Sequence, residues 1–306
     1  MKKIDVLGIG LCALDFLAIV PKKFKTDTRI KVEELVMQGG GPIGTALVAL
    51  ARLGANAAYM GSFADDQPGH LLREDFKKEG VDTAYSVFLK GTVTPMASIL
   101  VHSKTGKRTI FYPSFRNTAR IRNKSGLNKE AIKKCKILHI DQFQPEVSIE
   151  AAKTAGKSGV RVVLDIEGMT RETPELIEVS DVFISDEMFL SEFTRRRDYL
   201  DGISQLQKKY KEKMIVVTVG SGGSYVAWGG RILHVPAFRV KVKDTTGAGD
   251  VYHGAFIYGL LKKWDIGYTA RFASAVAALQ CRSLGGRAGI PTLRETTAFL
   301  RKDSGQ

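Results

Sequence analysis

The sequence predicts an α/β protein, a mostly parallel sheet with helices on both faces and a small accessory β layer. Three features lead there. Short apolar, β-branched runs alternate along the chain with helical stretches, as parallel strands joined by helical crossovers do. Two segments, 12–36 and 92–122, break that alternation with period-2 patterns and turn signals, so they form a separate β unit. Finally, 306 residues with 44% hydrophobic and 25% charged side chains suit one large or two ordinary soluble domains.

The first strand covers 4–9. Lys2 and Lys3 before it mimic the start of a signal peptide, but Asp5 and Asp15 interrupt the apolar run and no small-residue cleavage site follows. Residues 14–20, which end at Pro21, are extended. Residues 44–53 form a helix that ends at Arg52-Leu53-Gly54; 57–61 is a strand and 70–79 a helix. In the second β segment, Ser98-Ile99-Leu100-Val101-His102 and Arg108-Thr109-Ile110-Phe111 flank Lys104-Thr105-Gly106-Lys107, a hairpin pattern. Strands follow at 137–140, 161–165, 182–184, 215–219 and 224–227, with helices at 146–157, 174–179, 200–210 and 250–262. The division is therefore an α/β domain of 1–11, 37–91 and 123–306, carrying a β lid of 12–36 and 92–122. Ligands of such sheets sit beyond the carboxyl ends of the strands.

Composition excludes several classes. Cys12, Cys135 and Cys281 are scattered, with no C-x-x-C, which argues against disulfides and zinc and for a reducing, cytoplasmic setting. No apolar run reaches the ~18 residues of a membrane span. Formal net charge is +14, but lysines and arginines are spread along the whole chain without a nucleic-acid motif; a basic pocket for a small anion fits equally well. The five histidines lack metal-ligand spacing, and His253 on a helix suits a packed role. Gly8-Ile9-Gly10-Leu11-Cys12-Ala13 matches a dinucleotide fingerprint yet leads into an extended segment instead of a helix. Residues 151–158 look like a P-loop placed at the wrong end of a helix.

The chemistry concentrates in Asp244-Thr245-Thr246-Gly247-Ala248-Gly249-Asp250, which runs directly into a helix apolar nearly all round. Glycines let main-chain amides approach a ligand, and the helix start favours an anion. Asp250 stands at that junction, within reach of a proton. An anion cradle beside a base suits transfer of a phosphoryl group to an alcohol. A second cluster, Gln38-Gly39-Gly40-Gly41-Pro42-Ile43-Gly44, opens another helix and suits close backbone approach to a polyhydroxyl ligand, with Asp15 as a carboxylate for sugar hydroxyls.

These two clusters, in this order and separation, resemble the two signatures of the PfkB (ribokinase-like) carbohydrate kinases, over essentially the whole chain. The resemblance implies a ribokinase-like three-layer α/β/α sandwich and ATP-dependent phosphorylation of a sugar or related alcohol. It also implies Mg²⁺ and a homodimer formed through the β lid, with no nucleic acid and no membrane as partner. Carried over, Asp250 is the general base and the amides of Gly247, Ala248 and Gly249 form the anion hole. Asp15, Gly39, Gly40 and Gly41 face the substrate, with Gly44 where the family usually has an Asn. Thr218, Gly220 and Gly223 lie near ATP, and Ala275, Ala278 and Leu279 wall the adenine. Asp244 and Thr246, with the loop 285–289, fall where many members hold a monovalent cation such as K⁺. The magnesium-linked N-x-x-E pattern is replaced by Ser185-Asp186-Glu187-Met188, which leaves Glu187 for the metal's water shell.

The triple-Gly-Pro signature and the stretch 281–291 are most similar to the subgroup containing sulfofructose kinase. Lys22, Lys23, Lys25, Arg29 and Lys31 in one lid segment, and Arg108, Arg116, Arg120 and Arg122 in the other, suit an acceptor that already carries an anionic group. A nucleoside acceptor and a non-catalytic nucleotide-binding regulator are the alternative readings.

Overall fold

The computed structural model describes residues 3–21, 27–114, 117–121 and 126–303. Along the first half run β1 (Val6–Ile9), β2 (Ala13–Val20), β3 (Leu35–Gly40), α1 (Pro42–Arg52), β4 (Ala57–Tyr59), β5 (Ser62–Ala64), α2 (Gln67–Lys78), β6 (Val87–Leu89), β7 (Met96–His102) and β8 (Arg108–Phe111). Then follow α3 (Lys129–Lys134), β9 (Ile137–Asp141), α4 (Pro145–Gly156), β10 (Arg161–Ile166), α5 (Thr173–Glu178), β11 (Val182–Asp186), α6 (Glu187–Thr194) and α7 (Tyr199–Lys209). The chain closes with β12 (Met214–Thr218), β13 (Ser224–Trp228), β14 (Arg231–Val235), α8 (Ala248–Leu261), α9 (Ile266–Gln280) and α10 (Leu293–Asp303).

The main sheet has the order β14-β13-β12-β11-β10-β9-β1-β4. From β4 to β12 every pairing is parallel, and β13 and β14 add an antiparallel margin. Successive side chains on a strand point to opposite faces. Val163 on β10 therefore packs with α1, α8 and α9, whereas its neighbours Val162 and Leu164 pack with α4, α5 and α7. Apolar residues on both sides of each strand are what made these segments recognisable as short continuous runs. The result is a three-layer α/β/α arrangement.

A second sheet, in the order β3-β2-β7-β8, draws on the two segments that broke the alternation, but β3 runs on to Gly40, past the boundary expected at 36. The hairpin has Ser98 opposite Phe111 and Val101 opposite Arg108. Leu17, Ile19, Ile99 and Val101 on one face of this sheet pack against Leu284. Phe16, Leu35, Met37, Met96 and Phe111 are exposed. Lys22, Lys23, Lys25, Arg116 and Arg122, expected to carry lid charge, lie outside the described residues.

Helix starts follow local chemistry. Pro occupies the first turn of α1, α2, α4 and α5, where its missing N–H costs nothing, and Asp66, Asp186, Asp198 and Asp265 cap α2, α6, α7 and α9. The dinucleotide-like Gly8–Ala13 stretch leads into β2, and residues 151–158 close α4 ahead of β10, so neither is a phosphate loop. β14, α6, α9 and α10 lie outside the strand and helix candidates read from the sequence. Three of the five residues of β14 are exposed, which blurs its strand pattern. The apolar, alanine-rich run of α9 lacks a clean 3.6-residue periodicity.

α8 is buried along its length from Val251 to Leu260 and is the central helix of its layer. It reaches α1 closely because Gly254 has no side chain; a Cβ there would lie 2.5 Å from the Ala46 carbonyl oxygen. Gly254→Ala is expected to destabilise the protein by about 1–3 kcal/mol in urea denaturation. The same substitution at Gly156, beside which nothing lies within 4 Å, is expected to be neutral or stabilising.

Candidate active site

The glycine-rich stretch that ends β3 and opens α1 is shaped by two charged residues. A side chain on Gly40 would collide with the Asp15 carboxylate, and one on Gly39 or Gly44 with the Arg287 guanidinium. These glycines thus make room for protein groups, not only for a ligand as the sequence suggested. Gly41 additionally adopts φ 81, a left-handed conformation that favours glycine. Arg287 was not foreseen. It is 3% exposed, donates Nη1 to Asp75 Oδ2 at 2.6 Å and Nη2 to the Gly40 carbonyl at 2.9 Å, and lies over the Phe76 ring. The collision of a Cβ at Gly39 or Gly44 is its only trace at those positions, and a sequence carries none of it.

Asp15 projects from β2 on the inward side of the second sheet and is 6% exposed. Burial pushes its carboxyl up to about 7, Arg287 opposes that shift, and Asp250 and Asp244 add to it. The two glycine clusters therefore share one electrostatic neighbourhood. They also share a loop. The Arg287 amide donates to Gln38 Oε1 at 3.0 Å, Gln38 Nε2 donates to the Leu284 carbonyl at 3.2 Å, and Gly286 packs against Gly247.

α8 begins two residues before the expected position, with Gly247 as its cap at φ 71. Ala248, Gly249 and Asp250 form its first turn, and no atom lies within 4 Å of the Cβ position of Gly249. This is an open, amide-lined helix start of the kind that receives anions. Partial burial raises the Asp250 carboxyl; the charges of His253, Arg108 and Arg287 pull the other way. Arg108 arrives from β8 and donates Nη1 to Thr245 Oγ1 at 3.1 Å, while the Thr245 amide donates to the Gly106 carbonyl at 3.2 Å. The β7–β8 hairpin thus rests on the loop that feeds α8.

Beneath Asp250 the ends of the parallel strands supply acids. Register places Asp165 opposite Asp141, and Asp186 opposite Thr218. Asp141 accepts from the Leu11 and Phe143 amides, and burial pushes it up to about 7. A side chain on Gly10 would strike Asp141, which explains the second glycine of the dinucleotide-like stretch. Asp165 is buried with His253, Oδ2 to Nδ1 2.8 Å. Burial, then the charges of Asp250 and Asp186, hold the Asp165 carboxyl well above its usual range. Asp165 and its pairing with His253 were missed, because strand-end spacing does not reveal which acids converge.

Other expected residues divide. Thr218 donates Oγ1 to the Ser185 carbonyl at 3.3 Å, and Gly220 and Gly223 bound the turn between β12 and β13. Gly223 is needed for packing, since a Cβ there would meet the Val235 carbonyl. Ala278 and Leu279 lie at the C-terminal end of α9, but Ala275 is fully buried among core side chains and does not wall a ligand. Glu187 is corrected too: it accepts from the Tyr199 hydroxyl in an open groove with Met188, Ser191, Glu192 and Arg197, apart from the acids around Asp250. Its helix-capping neighbour Asp186 points toward those acids instead. Asp244 and Thr246 are buried, and their side chains are hydrogen-bonded to each other. Arg116 lies outside the described residues.

Comparison with known proteins gives a consistent picture. A model of the pfkB family carbohydrate kinases matches residues 2–293. The ribokinase of Haemophilus influenzae is 28% identical over 298 residues, which cover 95% of this chain and 97% of that protein. The 5-dehydro-2-deoxygluconokinase of Clostridium perfringens is 27% identical over 325 residues, with 99% and 94% covered. Among solved structures, one from Agrobacterium tumefaciens superposes with a TM-score of 0.93 over 100% of both chains at 24% identity. No helix among the described residues is long and apolar enough to cross a membrane.

The raised carboxyl of Asp15 has a consequence for stability. Its folded pKa of about 7 lies above the ordinary aspartate value of 3.8, so its contribution is present in acid and lost as pH rises toward 7. Asp15→Asn, which keeps the shape without the charge, is expected to unfold like the wild type near the acid end of that window. Above it the variant is expected to be more stable, on the order of 2 kcal/mol. Urea denaturation at both ends checks this; equal stabilities at high pH would refute it.

Proposed function

The chain belongs to the pfkB family of carbohydrate kinases, ATP-dependent enzymes that phosphorylate an alcohol group, and from that premise we propose its reaction and the role of each residue. We infer that the γ-phosphoryl group of ATP passes to a hydroxyl, primary in this reading, of a sugar or sugar derivative. One observation carries the proposal: Asp250 stands in the first turn of α8 beside amides that face open space, within the electrostatic reach of Asp15.

In this reading Asp15 accepts hydrogen bonds from acceptor hydroxyls, and the Gly39–Gly41 backbone lies against the ring. Asp250 takes the proton of the attacking hydroxyl as the bond to phosphorus forms. The amides of Gly247, Ala248 and Gly249 hold the negative charge on the moving group, a fixed arrangement that needs no reorganisation during the step. His253, close to buried Asp165, lies near Asp250, and burial holds its imidazole below the usual histidine range. The β7–β8 hairpin covers the site and limits water. Thr218, Gly220 and Gly223 would hold the nucleotide, with Ala278 and Leu279 beside the base.

Magnesium fits these residues. Burial and the charges of Asp165 and Asp250 raise the Glu167 carboxyl to about 8, so a cation with its water shell would relieve the crowding of acids there. Asp186, the last residue of β11, and Glu167, the residue after β10, would hold that water shell. When bound, the ion neutralises phosphate charge.

Arg108 supports an anionic acceptor, because it reaches the α8 loop and acts on Asp250. The likeness to the sulfofructose kinase subgroup points the same way. The second sheet supports a homodimer. Phe16 pairs across it with Met37 and Ser98, and Ser98 with Phe111, so these residues share a face whose large side chains are exposed.

Asp250→Asn is expected to lower turnover on the order of 10²–10⁴-fold while ATP still binds; ADP release over a panel of ketoses, sugar acids, sugar phosphates and nucleosides reads it. An unchanged rate would remove Asp250 as the base. Arg108→Ala is expected to raise KM about tenfold for an anionic acceptor, a loss of about 1.4 kcal/mol, and to leave a neutral one nearly unaffected. Equal effects on both would restrict Arg108 to closure.

A further inference from the structure

A monovalent cation between the Asp244–Thr246 turn and the loop 285–289 would need main-chain oxygens from both. The two such oxygens that face each other there are already taken. Nε2 of Gln280, the last residue of α9, donates to the Thr246 carbonyl at 2.8 Å and to the Gly285 carbonyl at 2.7 Å, and Gln280 is fully buried. Two acceptors on one end of the side chain define that end as the NH₂ group, because the amide oxygen has no hydrogen to give.

The carboxylate beside them is used as well. Asp244 is fully buried; its Oδ1 accepts from the Thr246 amide at 2.8 Å and the Thr246 hydroxyl at 2.7 Å, and its Oδ2 accepts from the Gly285 amide at 2.7 Å. Gln280 Oε1, by contrast, is buried without a partner. A buried carbonyl left unpaired is unfavourable, so this position is organised around the two donors of the amide.

We propose that the Gln280 amide is a built-in substitute for a monovalent cation, so that this protein needs neither K⁺ nor Na⁺. A cation would tie the two loops by drawing carbonyl dipoles inward, at an occupancy set by salt. The tethered amide joins the same two oxygens with no ion to desolvate and no dependence on concentration. Thr246 directly precedes Gly247, so Gln280 is a positioning residue for the amides at the start of α8. That catalytic consequence rests on the kinase reading above; the structural part does not.

The test uses the full chain in potassium chloride against tetramethylammonium chloride at matched ionic strength, with melting temperature and turnover as separate readouts. The wild type is expected to behave alike in both salts. Gln280→Ala leaves two carbonyls and a carboxylate around a space. It is expected to lose turnover on the order of tenfold in tetramethylammonium and to recover in potassium. Its melting temperature should rise with potassium, as for any ligand that binds only the folded state. Gln280→Glu, which turns the donors into a carboxylate, should show the same potassium-dependent melting. A wild type that potassium stabilises or activates severalfold would overturn the inference. So would a Gln280→Ala variant that matches the wild type in both salts. Should Gln280→Ala fail to fold, Gln280→Glu and the wild-type salt comparison still decide. The melting readout needs no acceptor, so an inactive wild type would remove the kinase reading and leave this question answered.

Discussion

The Asp244 carboxylate is the point from which the site is organised. Withdrawn from solvent, it can be tolerated only if its oxygens are occupied, and three donors from Thr246 and Gly285 occupy them. Those bonds bend the chain just ahead of Gly247 and tie it to the loop before Arg287. Gly247 then takes its left-handed conformation and α8 starts with its amides turned outward. A loop held only by backbone entropy could not keep several N–H groups aimed at one place.

From that knot the rest follows in two directions. Along the 284–287 loop, Arg287 reaches back to Gly40 and Asp75 and fixes the glycine-rich stretch before α1. Through Thr245, the hairpin of the second sheet is brought down on the same turn. Below it, acids at the ends of β9, β10 and β11 crowd into a space that burial makes unfavourable for charge. This is a costly arrangement for stability, and a useful one for a group that must exchange a proton.

Much of the architecture was legible in the sequence. The strands of the parallel sheet stand out because each is apolar on both sides, and the hairpin because its turn residues separate two alternating runs. Gly247, Gly249 and Asp250 were readable since only certain residues tolerate a tight turn into a buried helix. Asp15 was legible as an isolated acid in an apolar strand. Glu187 was misread because its neighbour Asp186, one position earlier, caps the helix and turns toward the site, while Glu187 turns toward Tyr199.

The sequence by itself determined the main sheet, the segments of the second sheet and the two glycine clusters, since local periodicity and backbone tolerance depend on near neighbours. Only the tertiary structure decided which distant groups complete the site: Arg287 filling the space beside Gly39 and Gly44, Asp165 paired with His253, and Gln280 bridging Thr246 to Gly285. Such pairings arise where helices and strand ends converge in three dimensions. Hydrogen bonds and ion pairs act over a few ångströms of space, whatever the distance along the chain.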